Sequence, residues 1–391
     1  MSQKFIPLSV PNLKGKELEY VTHAVETEWV STGGPYVNEF EEKTAKYVKA
    51  KGAVSVQNGT SGLHIALQVC DVTKEDEVIV PTLTFIAAVN PVKYIGAEPI
   101  FMDCDDSLCM DADKLIEFCQ EQCSFIDGKL INNKTKKHIK ALIVVHVFGN
   151  MADMEKIMET AATFNLKVIE DATEAIGTYY TEGQYRNKFA GTIGTVGVYS
   201  FNGNKIITTG GGGMIVSNDE ELLRSAQHLT TQAKSDELYY THDEIGYNYH
   251  MTNLQAALGL AQLEQLETFI QTKADNYKQY KEMIVEIPGL SILDFNKDIR
   301  SNHWFYALYV DENYPMNRDE IITYLSTKKV QVRPIWSLIS EQKPYLGSQT
   351  YKIEKAKTYL KHVVNIPCSS NLSIDDVRYV VDCLKNSAKK S

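Results

Sequence analysis

Lys205 stands in YSFNGNKIITTGGGGM, residues 199–214, five positions ahead of a run of four glycines. A lysine in that setting admits three chemistries: a phosphate clamp, an ordinary surface charge, or a covalent catalyst. A Walker-type loop requires G-x-x-x-x-G-K-[ST], so that backbone N–H groups wrap a phosphate and a hydroxyl reaches magnesium. Here Asn204 precedes the lysine and Ile206 follows it, so that motif fails. A dinucleotide fingerprint fails too, because Gly210–Gly213 lead into the strand-like GMIVSN and not into a helix. The covalent reading, a Schiff base, demands partners that can be sought elsewhere in the chain.

The stretch QNGTSGLHIAL (57–67) places Gly59-Thr60-Ser61-Gly62 between a strand and a helix start. Free N–H groups and the helix dipole there suit an anion; the plainer role for Thr60 or Ser61 is a helix cap. In VIEDATEAIG (168–177), Asp171 ends an apolar strand, where a carboxylate is costly unless paired. A protonated ring nitrogen is such a partner, and an N-cap for a following helix is the alternative. Phe85, in PTLTFIA, follows another strand and is placed to stack on a ring or to fill core. Ser200, in YSF, offers a further hydroxyl to a phosphate. A cup, a carboxylate, an aromatic and a lysine are the parts that pyridoxal phosphate requires.

The elements that must position these residues follow a βαβ rhythm. Apolar runs at 53–57, 77–80, 98–102, 141–148, 167–170 and 197–201 read as strands, with amphipathic stretches such as 111–122 and 151–164 between them. Several runs are apolar on both faces, as in a sheet covered by helices. The prediction is a mostly parallel sheet in a three-layer α/β domain, with ligands at the carboxyl ends of its strands. From 251 to about 285 the pattern is long and helical, and after Pro288 and Gly289 strands and helices mix up to a last helix near 374–387. Residues 1–250 are therefore assigned to a large domain with an N-terminal helical segment, and 251–391 to a bridging helix and a small C-terminal α+β domain.

Composition narrows the function class. The chain has 391 residues, 43% apolar and 23% charged, an ordinary globular balance. Lys+Arg 40 against Asp+Glu 50 leaves a net charge of −10, which argues against nucleic acid or an anionic membrane as main partner. The N-terminal apolar stretch is interrupted by Pro7 and Pro11, unlike a signal peptide. Seven cysteines without a CxxC pair fit a reducing cytoplasm, with Cys119 and Cys123 expected on one helix face. The nine histidines form no HExxH-type cluster, so no metal is expected.

The chain resembles the DegT/DnrJ/EryC1/StrS family of pyridoxal-phosphate-dependent nucleotide-sugar aminotransferases. The resemblance runs through PLSVPNLKGKELEYV, WVSTGGPYVNEFEE, NGTSGLHIAL, PTLTFIA, EDATEAIGT, YSFNGNKIITTGGGGM, GYNYHMTNLQAALG and NIPCSSNLSIDDV. It implies the fold-type I, aspartate aminotransferase-like architecture. It implies further that Lys205 is the Schiff-base lysine, that Asp171 pairs with the pyridine nitrogen, and that Thr60, Ser61 and Ser200 bind the phosphate. Phe85 would stack on the ring and Glu174 would lie near the phenolic oxygen. Asn248, in GYNYH, would reach the phosphate of a neighbouring subunit, since the family forms homodimers with shared sites.

Glutamate is the implied amino donor. Lys205, freed when the donor displaces it, would act as the base that moves a proton between donor and cofactor, and the 4-keto sugar nucleotide would then enter in a ping-pong scheme. Gly210–Gly213 would allow close backbone approach beside the lysine, or form a tight strand-entry turn. Two positions depart from the family: many members carry Gln in place of Glu174 and Arg in place of His250. Glu174 in the Asp-Ala-x-Glu setting, with NGNKIITT, resembles the subgroup acting on 4-keto-6-deoxy-N-acetylglucosamine nucleotides in legionaminic-acid-type and bacillosamine-type pathways. Arg333 and Trp336, in VQVRPIW, are candidates for the nucleotide, because a guanidinium fork suits phosphate. Tyr249 and His250 are candidate substrate neighbours, and Ser31 and Thr32, in WVSTGG, candidates for the sugar pocket. The alternatives are a 3-aminotransferase of dTDP-linked 3-keto sugars and a non-catalytic regulator on the same fold. A relative that dehydrates with histidine in place of the lysine is excluded by Lys205.

Overall fold

A computed structural model describes residues 4–236 and 238–387. The predicted strands build one 10-stranded sheet, whose main path runs Gly52–Val56, Gly213–Ser217, Val196–Ser200, Lys167–Asp171, His138–Val145, Asp76–Pro81, Glu98–Met102 and Gln349–Tyr351. From Val196–Ser200 onward every pairing on that path is parallel, and Gly213–Ser217 is antiparallel to both of its neighbours. Asp76–Pro81 and Val196–Ser200 are buried at every position. Cover on both faces explains why these runs do not alternate. The fold is the α/β, fold-type I class expected.

Two pieces of the sheet lie outside the expected strands. A hairpin, Cys123–Ile126 with Lys129–Asn132, pairs onto His138–Val145. The amphipathic helix ends at Glu121 because the Gln122 carbonyl accepts the Asn133 N–H at 3.0 Å, which turns the chain into the hairpin. Cys123 therefore opens a strand and does not share a helix face with Cys119. All seven cysteines are buried and free. The second piece, Gln349–Tyr351, arrives from the C-terminal part and pairs parallel with Glu98–Met102.

The stretch 251–285 is two helices, Asn253–Leu263 and Leu266–Ile284, where one was expected. A capping box of Thr252 and Gln255 opens the first. At the break, the Gln265 N–H turns to the carbonyl of Gln262, three residues back, at 3.1 Å. The side-chain amides of Gln262 and Gln265 both donate to the buried Glu17 carboxylate, which fixes the break against the N-terminal helix Glu17–Glu26. Beyond Gly289 a 4-stranded antiparallel sheet forms from Leu290–Ile292, Tyr306–Val310, Val363–Ile366 and Arg333–Pro334. The last helix, Ile374–Ser387, packs on Leu266–Ile284. No described helix is long and apolar enough to cross a membrane.

Candidate active site

Four segments, each following a strand of the large sheet, converge on a cavity of about 370 Å³. They are Asn58–Thr60, Thr84–Phe85, Asp171–Glu174 and Ser200–Lys205, and the C-terminal part adds Trp304, Phe305 and Trp336. A cleft at the carboxyl ends of the strands is where such a sheet offers free backbone groups to a ligand.

Helix Gly59–Val69 is capped by Asn58, whose Oδ1 accepts the Ser61 N–H at 2.8 Å. Thr60 and Ser61 are thus not its caps. The Gly59 and Thr60 N–H groups have no acceptor within the helix, and both residues border the cavity with Ser200. Ser61 is buried behind them and does not line it. Space here is tight: a Cβ on Gly59 would sit 3.0 Å from Thr173 Cγ2 and 3.1 Å from Ser200 Cβ. Of the glycine run, Gly213, which opens the strand Gly213–Ser217, backs this same turn. A Cβ on Gly213 would lie 2.8 Å from the Asn58 carbonyl carbon and 2.9 Å from the Gly59 nitrogen.

Asp171 ends its strand with no helix after it, and its Oδ1 accepts the Thr173 N–H at 3.1 Å. The carboxylate is buried, and no described cation pairs with it. Burial pushes its pKa up, against that hydrogen bond and the lowering pull of Lys205. Phe85 is 55% exposed at the cavity, which makes it a wall residue and not core.

Lys205 Nζ lies 3.7 Å from Glu174 Oε1 and 4.0 Å from the ring centroid of Trp304. The indole is pinned, its Nε1–H donating to the Asn204 carbonyl at 2.9 Å and its face stacked on Phe305. Glu174 Oε2 accepts the Phe148 N–H at 2.8 Å. Phe148 holds that N–H in place from a left-handed conformation, φ 58°, unusual for a bulky residue. Asn302 ties the two walls together: its amide donates to the Glu174 and Ile176 carbonyls, and its Oδ1 accepts the Trp304 N–H.

Burial lowers the Lys205 pKa, opposed by Glu174 and Asp171. A neutral fraction of amine is what proton abstraction from carbon requires. Burial pushes Glu174 up to about 7, with Lys205 pulling the other way. The folded chain thus holds the Glu174 proton more tightly than the unfolded chain. Stability from this group is full below its ordinary 4.5 and is lost as pH rises toward about 7. Glu174→Gln keeps the acceptor for Phe148 and removes the titration. The apoprotein of this variant should gain on wild type by up to about 3 kcal/mol as pH rises across that window, read by thermal melting. A difference that stays flat with pH would contradict the assignment.

Comparison with known proteins adds the chemistry. The DegT/DnrJ/EryC1/StrS aminotransferase family matches residues 11–385. The GDP-perosamine synthase of Escherichia coli O157:H7 is 39% identical over 384 residues, 97% of this chain and 98% of that protein. That of Caulobacter vibrioides is 35% identical, with 97% of each covered. The X-ray structure of the aminotransferase from Psychrobacter cryohalolentis superposes with a TM-score of 0.86 at 27% identity, covering 99% of both chains. This chain belongs to the DegT/DnrJ/EryC1/StrS family.

As a member, it is a pyridoxal-phosphate-dependent aminotransferase, and its cavity fits that cofactor. The helix start at Gly59 and Thr60 with Ser200 would take the phosphate, and the unpaired Asp171 carboxylate would take a ring N–H. Phe85 would cover a ring face, and Lys205 and Glu174 would flank the reactive edge. When bound, the cofactor supplies an electron sink for a developing carbanion. The chain's part would be to hold the ring nitrogen's proton at Asp171, to move a proton at Lys205 Nζ, and to exclude water with Trp304, Phe305 and Trp336.

The remaining predicted residues lie elsewhere. Thr32, Asn248 and His250 line a second, polar hollow that shares no residue with this cavity. Ser31, Tyr249 and Arg333 line neither. Tyr249 stacks on Tyr247, and the Ser31 carbonyl accepts the Asn253 N–H. Sequence reasoning missed Trp304, Phe305 and the capping Asn58. The adjacent aromatics of NHWFYAL, just ahead of a strand, were the available signal for the first two.

Proposed function

We propose that this aminotransferase converts a nucleotide-linked 4-keto-6-deoxy sugar into the 4-amino sugar, with glutamate as donor. The observation that carries the reading is Lys205, buried between Glu174 and Trp304 and sharing a cavity with an unpaired Asp171. The aromatic wall of Trp304, Phe305 and Trp336 suits the apolar face of a deoxy sugar. Two relatives named GDP-perosamine synthases support a GDP-linked substrate. The Asp-Ala-x-Glu setting of Glu174 supports the N-acetylated sugar, on GDP or UDP, as the second reading. Arg333, exposed and three residues from Trp336, is a candidate for the nucleotide, and Ser31 and Tyr249 for its surroundings.

In this reading the enzyme works in the cytoplasm as a homodimer and feeds cell-surface glycan synthesis. Residues 1–250 hold the cofactor, and 251–391 close the site from the other side. The test is a panel of GDP-, UDP- and dTDP-linked keto sugars incubated with glutamate and read by product mass. The expected result is a mass matching keto-to-amino exchange on a 4-keto-6-deoxy substrate. Turnover of a 3-keto sugar with none of any 4-keto sugar would overturn the reading.

A further inference from the structure

Residues 4–10 come early in the chain, yet they lie against its last third. Ile6 forms a parallel bridge with Val330: its N–H donates to the Lys329 carbonyl and its carbonyl accepts the Gln331 N–H, both at 2.9 Å. The Leu8 N–H donates to Gln331 Oε1 at 3.1 Å, and the Leu8 carbonyl accepts the Cys368 N–H at 2.8 Å. The Val10 N–H donates to Ser369 Oγ at 3.0 Å. Ile6 and Leu8 are buried, so alternate side chains anchor this strap in the C-terminal part. Successive side chains of an extended segment point opposite ways. Ser9 accordingly faces the other side, where its Oγ donates to the Asn204 carbonyl at 3.2 Å.

That carbonyl belongs to the peptide bond joining Asn204 to Lys205. It also accepts the Trp304 Nε1–H at 2.9 Å. Both of its lone pairs are therefore used, and both donors are carried by the C-terminal part. The turn itself is thinly held. Its internal bond is the Lys205 N–H to the Asn202 carbonyl at 3.0 Å, and a Cβ on Gly203 would meet nothing within 4 Å. Asn202 and Asn204 are exposed, whereas Ile206, Ile207, Thr208 and Thr209 are buried. Lys205 thus hangs between a buried run on one side and a single bonded carbonyl on the other.

We propose that Ser9 is a positioning residue of the aminotransferase, and that the strap Ile6–Val10 uses it to register the Lys205 turn against the C-terminal part. Ser9 does not line the cavity, and it acts through the carbonyl it shares with Trp304. With both lone pairs filled, the indole stays 4.0 Å from Lys205 Nζ and keeps water from the amine. With one filled, the turn and the indole are free to shift apart. The proposal rests on the aminotransferase chemistry and not on which sugar is the substrate.

Cofactor uptake by the apoprotein reads the amine directly. Uptake joins the neutral Lys205 amine to the cofactor's aldehyde with loss of one water, so its rate climbs with pH until the amine is deprotonated. Burial lowers the Lys205 pKa, while Glu174 and Asp171, the carboxylates facing the amine, oppose that shift. Both carboxylates are kept in every variant, so a change in midpoint reports water at the amine.

Stopped-flow absorbance at saturating pyridoxal phosphate follows the visible band of wild type, Ser9→Ala, Ser9→Thr and Gln331→Ala across pH. In Ser9→Ala the midpoint should move up, toward that of an ordinary lysine. Uptake at neutral pH should slow about three- to tenfold, the scale of one neutral hydrogen bond. Ser9→Thr keeps the hydroxyl and should follow wild type. Gln331→Ala cuts the strap one residue away, at the Leu8 N–H, and should shift the midpoint in the same direction. A wild-type midpoint in Ser9→Ala overturns the proposal, even where its melting temperature falls. Equal losses in Ser9→Ala and Ser9→Thr overturn it too, because packing and not the hydroxyl would then be at work. A shift in Ser9→Ala with none in Gln331→Ala overturns the part given to the strap.

Discussion

Lys205→Ala should turn over less than about one-thousandth as fast as wild type, the upper range for losing a positioned general base. The loss is large because the lysine has no understudy. Among the described residues it is the only cation lining the cavity, and its amine is set by burial between Glu174 and Trp304. The variant should still fold, since the Lys205 amine contacts Glu174 and the Trp304 ring, both outside the sheet strands, and its removal relieves a desolvated amine. The check is single-turnover kinetics together with the visible absorbance of the cofactor-loaded protein. An alanine variant with turnover within tenfold of wild type would remove Lys205 from the chemistry.

Asp171→Asn should lose activity by about 10²–10³-fold, the scale of removing one preorganised electrostatic group, while the apoprotein becomes more stable. The two effects have one origin. Asp171 is a buried carboxylate that accepts the Thr173 N–H and has no cation paired with it among the described residues. Without the cofactor it is a charge held out of water, costing ~1–3 kcal/mol. With the cofactor bound it would keep the ring nitrogen protonated. Asparagine keeps the contact to Thr173 and removes both the penalty and the charge. Melting of the apoprotein and steady-state kinetics of the holoenzyme should therefore move in opposite directions. Wild-type turnover in Asp171→Asn would show that this carboxylate has no part in the reaction.

Much of this site was legible because its residues sit where sequence signals are sharp. Asp171, Ser200 and Thr60 each lie at or within three residues of the end of an apolar run, so locating the strand located the residue. The aromatic wall was harder. Trp304 reaches Lys205 from nearly a hundred residues away in the chain, through Asn302 and the Asn204 carbonyl, and no local period encodes that approach. The broken helix at Gln265 was missed for a similar reason. Its cause is Glu17, far away in sequence, which gathers two glutamine amides that propensity alone treats as ordinary helix formers. The hairpin at 123–132 was hidden because its first strand faces outward over Phe125 and Ile126 and so lacks a buried run.

The strand Gln349–Tyr351 ties the end of the chain to its beginning. Around it, the Tyr345 hydroxyl donates to Asn90 at 2.6 Å, and the Asn132 amide donates to Gln349 at 2.9 Å. The Asp103 carboxylate accepts the N–H groups of Glu354, Lys355 and Ala356. Until those last residues have been synthesised, the edge of Glu98–Met102 has no mate. A nascent polypeptide must therefore carry an open parallel edge, the kind that recruits foreign strands, through most of its time on the ribosome. The same stitch completes the sheet and locks the carrier of Trp304 and Trp336 to the carrier of Lys205. Catalytic competence and protection from aggregation thus arrive together, late, with one short piece of backbone.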